Sequence, residues 1–134
     1  MTRRPSYEAY RLRRPRHLEQ VTVDYPEIEA LPEGSVLVRV EAGGICGSDL
    51  PYYTGAVPFT QEPGGPPPSV GVPMHEIVGT VAACGTIGDL EVGMRVVGWA
   101  DGFDGLAEVV AARAAGLLEI GGALAGRHAV ALQP

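Results

Sequence analysis

Cys46 and His75 are the residues whose chemistry stands out first, each with a carboxylate close by in the chain, Asp49 and Glu76. Thiolate and imidazole are ligands that zinc prefers, and a catalytic zinc site needs three protein ligands and one open position. A carboxylate beside such ligands either orients the imidazole or binds the metal directly. Ser48 adds a hydroxyl two residues past the cysteine, which as a bare serine after glycine carries little signal. By spacing alone the signal is weak, and a buried structural thiol and a core histidine are the better account of Cys46 and His75.

Positioning these residues falls to segments that read as strands and turns. Residues 7–13 and 17–23 are predicted as two short strands, and 35–42 as a third in which Val36, Val38 and Val40 alternate with Leu37, Arg39 and Glu41. That third strand delivers the chain to Gly43-Gly44, whose backbone freedom suits a sharp turn beside Cys46. Residues 25–34 read as a connector. Residues 51–73 hold seven of the twelve prolines, Pro66-Pro67-Pro68 among them, and are predicted as a loop joining the two candidate ligand segments. Further strands are expected at 77–83, 92–99, 106–111 and 117–120, and the start of a helix over 123–133. Many short strands with closely spaced turns predict a mainly β barrel or sandwich with few helices.

Bulk properties narrow the function classes. The 134 residues correspond in size to one domain, with 19 Gly, 12 Pro and few aromatics. All ten basic residues are arginines, and six of them fall in the first sixteen positions, where with Glu8 they give a local charge of +5 and leave −11 for the rest. Tyr7, Ala9, Tyr10 and Leu12 interleave with those arginines in a strand-like pattern, and the acidic remainder disfavours nucleic-acid binding. No apolar run approaches the roughly 20 residues of a membrane helix. The two cysteines, Cys46 and Cys84, in a chain without a recognisable signal peptide, suit a reduced, cytoplasmic setting. Cys84, at the end of a Val-Ala-Ala-Cys-Gly stretch, reads as a packing residue.

Four separated motifs, in order, resemble the zinc-dependent medium-chain alcohol dehydrogenases. They are Gly44-Ile45-Cys46-Gly47-Ser48-Asp49, then Met74-His75-Glu76-Ile77-Val78-Gly79, then Glu91-Val92-Gly93-Met94-Arg95-Val96-Val97, and Gly105-Leu106-Ala107-Glu108-Val109. Met74 stands where the family usually has glycine, and Met94 where it has aspartate. The resemblance implies a GroES-like, partly open β-barrel over residues 1–134, with 123–134 beginning the connection to a cofactor domain. It implies zinc held by Cys46 and His75 with Glu76 close to the metal, Asp49 hydrogen-bonded to the imidazole, and Ser48 passing the substrate's proton towards solvent. Some relatives continue that relay through a histidine at the place of Pro51. A third ligand is usually a cysteine or a glutamate early in the following domain; Gln133 occupies the place of that glutamate here.

Two family features are not found in this sequence. There is no four-cysteine structural zinc lobe between Val97 and Gly105, and no Gly-x-Gly-x-x-Gly follows a strand. Gly121-Gly122-Ala123-Leu124-Ala125-Gly126 has the wrong spacing for that fingerprint. The expectation is a catalytic domain of an NAD(P)-dependent dehydrogenase acting on a small alcohol, polyol or sugar, with a lean towards the latter two. Such a domain is inactive unless a Rossmann domain is supplied in cis or in trans, and relatives are often homo-oligomers. Two other readings remain at this level. One is a stand-alone GroES-like binding module that acts with a separate partner protein. The other is a co-chaperonin, which shares the barrel but lacks the Cys and His-Glu motifs.

Overall fold

Valine and its β-branched or aliphatic neighbours recur at short range along the chain, and the structure, a computed structural model describing residues 5–56, 70–85 and 89–132, turns those runs into strands. In chain order they are β1 (Ser6–Arg14), β2 (His17–Asp24), β3 (Ser35–Gly44), β4 (Glu76–Cys84), β5 (Arg95–Trp99), β6 (Val109–Arg113) and β7 (Leu117–Glu119). Two short helices, α1 (Leu50–Thr54) and α2 (Gly126–Ala129), and three single turns of 3-10 helix complete the described elements. The molecule is mainly β, as the pattern of short strands predicts. No helix among the described residues is long and apolar enough to cross a membrane.

β1 and β2 form an antiparallel hairpin, and the other strands form a five-stranded antiparallel sheet in the order β6-β3-β4-β5-β7. The hairpin is not independent. Tyr10 donates its N–H to the Leu106 carbonyl, Glu108 donates to the Glu8 carbonyl, and Gly71 donates to the Tyr10 carbonyl. These bonds, with the bridges Ala9–Ala107 and Arg11–Val70, fold the hairpin over the open side of the sheet and make the barrel partly closed.

The interior is one cluster of small β-branched residues: Val36, Val38, Ile77, Val81, Val96, Val110 and their neighbours. A second, smaller cluster covers the opposite face, where α2 and the turn after it lay Ala129 and Val130 on Val78 and Val97. β3 departs from simple alternation: Val36, Leu37 and Val38 are all buried, in consecutive positions. Cys84 packs against the main cluster as a free thiol.

Several boundaries differ from the sequence reading. β5 starts at Arg95 and not at 92, because Glu91 to Met94 is a turn with Gly93 at φ 94° and the Met94 N–H donating to the Glu91 carbonyl. β6 runs over Val109–Arg113 and not 106–111, since Leu106 and Ala107 are taken up by contacts to the hairpin. The stretch expected to be loop from residue 51 begins as α1, with Pro51 in its first turn, where a missing N–H costs nothing, and Gly55 in the left-handed conformation closing it. Most of the remaining proline-rich stretch, including Pro66-Pro67-Pro68, lies outside the described residues. The expected helix at 123–133 is reduced to four residues followed by a 3-10 turn.

Candidate metal centre

β3 and β4 bring the two ligand segments together because they are adjacent and antiparallel. Their register pairs Gly44 with Glu76 and Gly43 with Ile77, so the chain leaving β3 towards Cys46 starts opposite the chain entering β4 from His75. A bulge between Val40 and Ala42 bends this end of the ribbon. The approach is close: a Cβ at Gly44 would press on the Glu76 carboxylate and Val130, and one at Gly43 on the end of the Met74 side chain, so either would displace those side chains.

From there the segment Cys46–Asp49 folds into a tight turn. The Asp49 N–H donates to the Cys46 carbonyl at 3.0 Å, and the Cys46 N–H donates to Asp49 Oδ2 at 2.8 Å. The other carboxylate oxygen, Oδ1, lies 3.2 Å from His75 Nδ1. A carboxylate opposite that nitrogen can only accept, so Nδ1 carries the proton and Nε2 keeps the lone pair. Asp49 is 2% exposed, and its two oxygens tie the cysteine segment to the histidine segment.

The outcome is a three-residue constellation. The ligand atoms of Cys46, His75 and Glu76 all lie within 4.8 Å of one another. A thiol, an imidazole with a free Nε2 lone pair and a carboxylate form a mixed S, N, O donor set that suits zinc, and their mutual distances leave room for one ion among them. Ser48 is exposed on the same turn, at the first bend after Cys46. Gln133 lies outside the described residues; Val130, three positions earlier, is packed over Gly44.

Two aromatic residues that carry no signal in the motif reading also stand at the centre. The His75 ring meets Phe103 at 4.8 Å between centroids, in a tilted arrangement, and Trp99 at 6.0 Å, edge to face. The histidine backbone is fixed to the same segment: Ala100 donates its N–H to the His75 carbonyl, and Met74 donates to the Phe103 carbonyl. The only hint in sequence is that Trp99 ends a predicted strand and Phe103 lies in the turn that follows, between Gly102 and Gly105.

Within that turn, Asp104 is half-buried, with its Oδ1 buried and unpartnered. Burial pushes its carboxyl pKa upward, its own backbone N–H pulls the other way, and Asp101 adds to the rise. The Tyr7 phenol is also pushed up, by burial first and then by Asp104 and Tyr25.

Comparison with known proteins agrees with this architecture. Residues 32–130 match the family model described as the alcohol dehydrogenase GroES-like domain. A probable zinc-binding alcohol dehydrogenase of Mycobacterium tuberculosis is 42% identical over 73 residues, a match covering 50% of this chain and 17% of that protein. Among solved structures, the human synaptic vesicle membrane protein VAT-1 homolog-like protein superposes with a TM-score of 0.77 at 25% identity, over 96% of this chain and 40% of that one. A probable oxidoreductase from Mycobacterium abscessus superposes with a TM-score of 0.74 at 28% identity, over 96% and 39%. The chain thus spans about two fifths of the length of these solved relatives. With the barrel, the motif order and the family match in agreement, the chain belongs to the GroES-like domain family of the medium-chain alcohol dehydrogenases.

Proposed function

We propose that this chain is the zinc-binding catalytic domain of an NAD(P)-dependent dehydrogenase that acts on the CH–OH group of a small alcohol, polyol or sugar. The observation that carries the reading is the convergence of Cys46, His75 and Glu76 ligand atoms within 4.8 Å, on a turn braced by both oxygens of Asp49. Cys46, His75 and Glu76 would hold the metal, with Gln133 a candidate for a fourth protein ligand. Zinc bound there supplies Lewis-acid polarisation of an alcohol or carbonyl oxygen, and a nicotinamide brought by a Rossmann domain supplies the hydride acceptor or donor.

The chain's own residues have separable tasks. Asp49 accepts from His75 Nδ1 and so fixes the tautomer that leaves Nε2 for the metal, while its second oxygen holds the backbone of Cys46. Ser48 receives the proton that a substrate hydroxyl must lose, at its Oγ. Because Ser48 is exposed and Pro51 offers no imidazole, the proton passes from Oγ straight to water. Gly43 and Gly44 let the two ligand segments approach.

A solved quinone oxidoreductase from Pseudomonas syringae shares the fold at 26% identity and a TM-score of 0.72, so barrel shape does not separate the two kinds of chemistry. The donor set favours the zinc reading. Metal analysis of the purified chain after dialysis tests it: close to one zinc per chain is expected, falling to near zero in His75→Ala. Equal, negligible zinc in both proteins would sink the reading. The 134-residue chain, which carries no dinucleotide fingerprint, is expected to show no NAD(P)-linked alcohol oxidation by itself.

A further inference from the structure

Gly121-Gly122-Ala123-Leu124-Ala125-Gly126 is glycine and alanine around one leucine, and within it only Gly126 is buried. The helix that follows, α2, has four residues, too few to hold its place by its own hydrogen bonds. Yet Ala129 and Val130 beyond it are packed on Val78 and Val97. One side chain accounts for the anchorage. Arg95, the first residue of β5, donates from Nη1 to the carbonyls of Gly121 and Leu124. Its own carbonyl accepts from the Ile120 N–H at 2.8 Å. The rest of the guanidinium is a fork on Glu41, with Nε 2.8 Å from Oε2 and Nη2 2.9 Å from Oε1. The Gly126 N–H reaches the same carboxylate. A bidentate pair with further bonds on the same guanidinium fixes a position in a way that a lone surface ion pair does not.

Glu41 owes its aim to the bulge in β3. The register pairs Val40 with Gly79 and Ala42 with Val78, which leaves Glu41 as the extra residue. The irregularity that bends this end of the ribbon therefore also turns the carboxylate towards Arg95, two strands away.

The anchored segment ends over the metal centre. Val130 Cγ2 lies 3.1 Å from the point where a Cβ of Gly44 would stand, and so does the Glu76 Cβ, with the Glu76 carboxylate bordering the same point. Val130 thus closes the space in which the Glu76 side chain is set, and Glu76 is one of the three residues whose ligand atoms converge. With Val130 withdrawn, the carboxylate gains room to swing away from Cys46 and His75.

We infer that Arg95 and Glu41 are positioning residues of the metal centre: by pinning residues 120–126 to the sheet they keep Val130 against Gly44, and so keep the Glu76 carboxylate turned to the ion. The inference rests on the metal-centre reading above. It gives a role to the arginine of the third motif and to a glycine cluster that is no dinucleotide fingerprint.

Zinc affinity of the full chain, measured against a competing chelator, tests it. Glu41→Gln removes the charge and half of the fork; Arg95→Lys keeps the charge and loses the fork. Each should keep the circular dichroism spectrum of the unaltered chain and bind zinc about 3- to 10-fold more weakly, a smaller loss than for a residue bonded directly to a ligand. Val130→Ala, with the ion pair intact, should weaken zinc by a similar factor. Because the pair acts through Val130, the Glu41→Gln/Val130→Ala double variant should bind no more weakly than the weaker single variant. Unaltered affinity in any of the three single variants overturns this inference alone, and so do losses that multiply in the double variant; the metal reading then stands. Absence of zinc binding by the unaltered chain overturns both.

Discussion

Glu76 and Ile77 are neighbours on β4, yet they belong to two regions that follow different rules. Ile77 points into the sheet interior, is 0% exposed, and packs among Val36, Val38, Val81 and Val96. Glu76 points the other way, to the rim where Cys46 and His75 converge and where Ile45, Trp99 and Phe103 keep large apolar surface in water. In the interior, apolar area is hidden, which is how a small β domain becomes stable. At the rim, apolar area is left open, one bulky residue has an unfavourable φ, and a buried carboxylate holds the His75 ring and the Cys46 backbone N–H. The difference separates residues that fold the domain from residues to which the proposed function assigns a metal and a ligand.

The largest effect expected from breaking this division is in the interior. Ile77→Ala should cost about 2–5 kcal/mol through lost burial and a residual cavity, lowering the thermal midpoint by roughly 10 °C in a melt followed by circular dichroism. A loss of only a degree or two would mean that the cluster is not the principal source of stability.

At the rim the ordering should reverse, with metal affinity changing more than stability. Asp49→Asn keeps the size and one acceptor oxygen but removes the charge that faces His75 Nδ1. Zinc affinity measured against a competing chelator should fall about 10- to 100-fold, with a smaller change in melting temperature than in Ile77→Ala. Unaltered affinity would show that Asp49 only closes the turn.

The smallest effect sharpens the boundary between the regions, at Asp104. Burial raises its folded-state pKa above the unfolded value, so its contribution to stability is complete below the unfolded pKa and is lost as pH rises through the folded one. Asp104→Asn should therefore melt above the natural chain at pH 7, and the gap should close below the ordinary aspartate pKa of about 4. A gap that widens on acidification would contradict this sign.

Much of the fold was legible in sequence wherever one local rule governed. The strands of the hairpin and of the β3–β4 ribbon were marked by residue pattern and turn residues, and lie within a residue or two of their expected positions. Boundaries moved where a tertiary partner competed with local pattern. Leu106 and Ala107 look like strand but pair with the hairpin, and Glu91 to Met94 extend the β5 pattern but form a turn. α1 was hidden because Pro51 reads as a breaker, although a helix start tolerates proline.

The candidate centre divides in the same way. Cys46, Ser48, Asp49, His75 and Glu76 were named by residue type and motif, since thiolate, imidazole and carboxylate carry their chemistry in any context. Their convergence was not determined by sequence: it comes from the β3–β4 register, which sets Gly44 opposite Glu76 and so closes a gap of many residues to ligand distance. The ring contacts on His75 belong to tertiary structure, because nothing local to Trp99 or Phe103 says that a strand pairing and a left-handed turn will bring both rings onto it. Chemistry resides in single side chains and can be read one at a time, whereas proximity is a property of pairings made across the sheet.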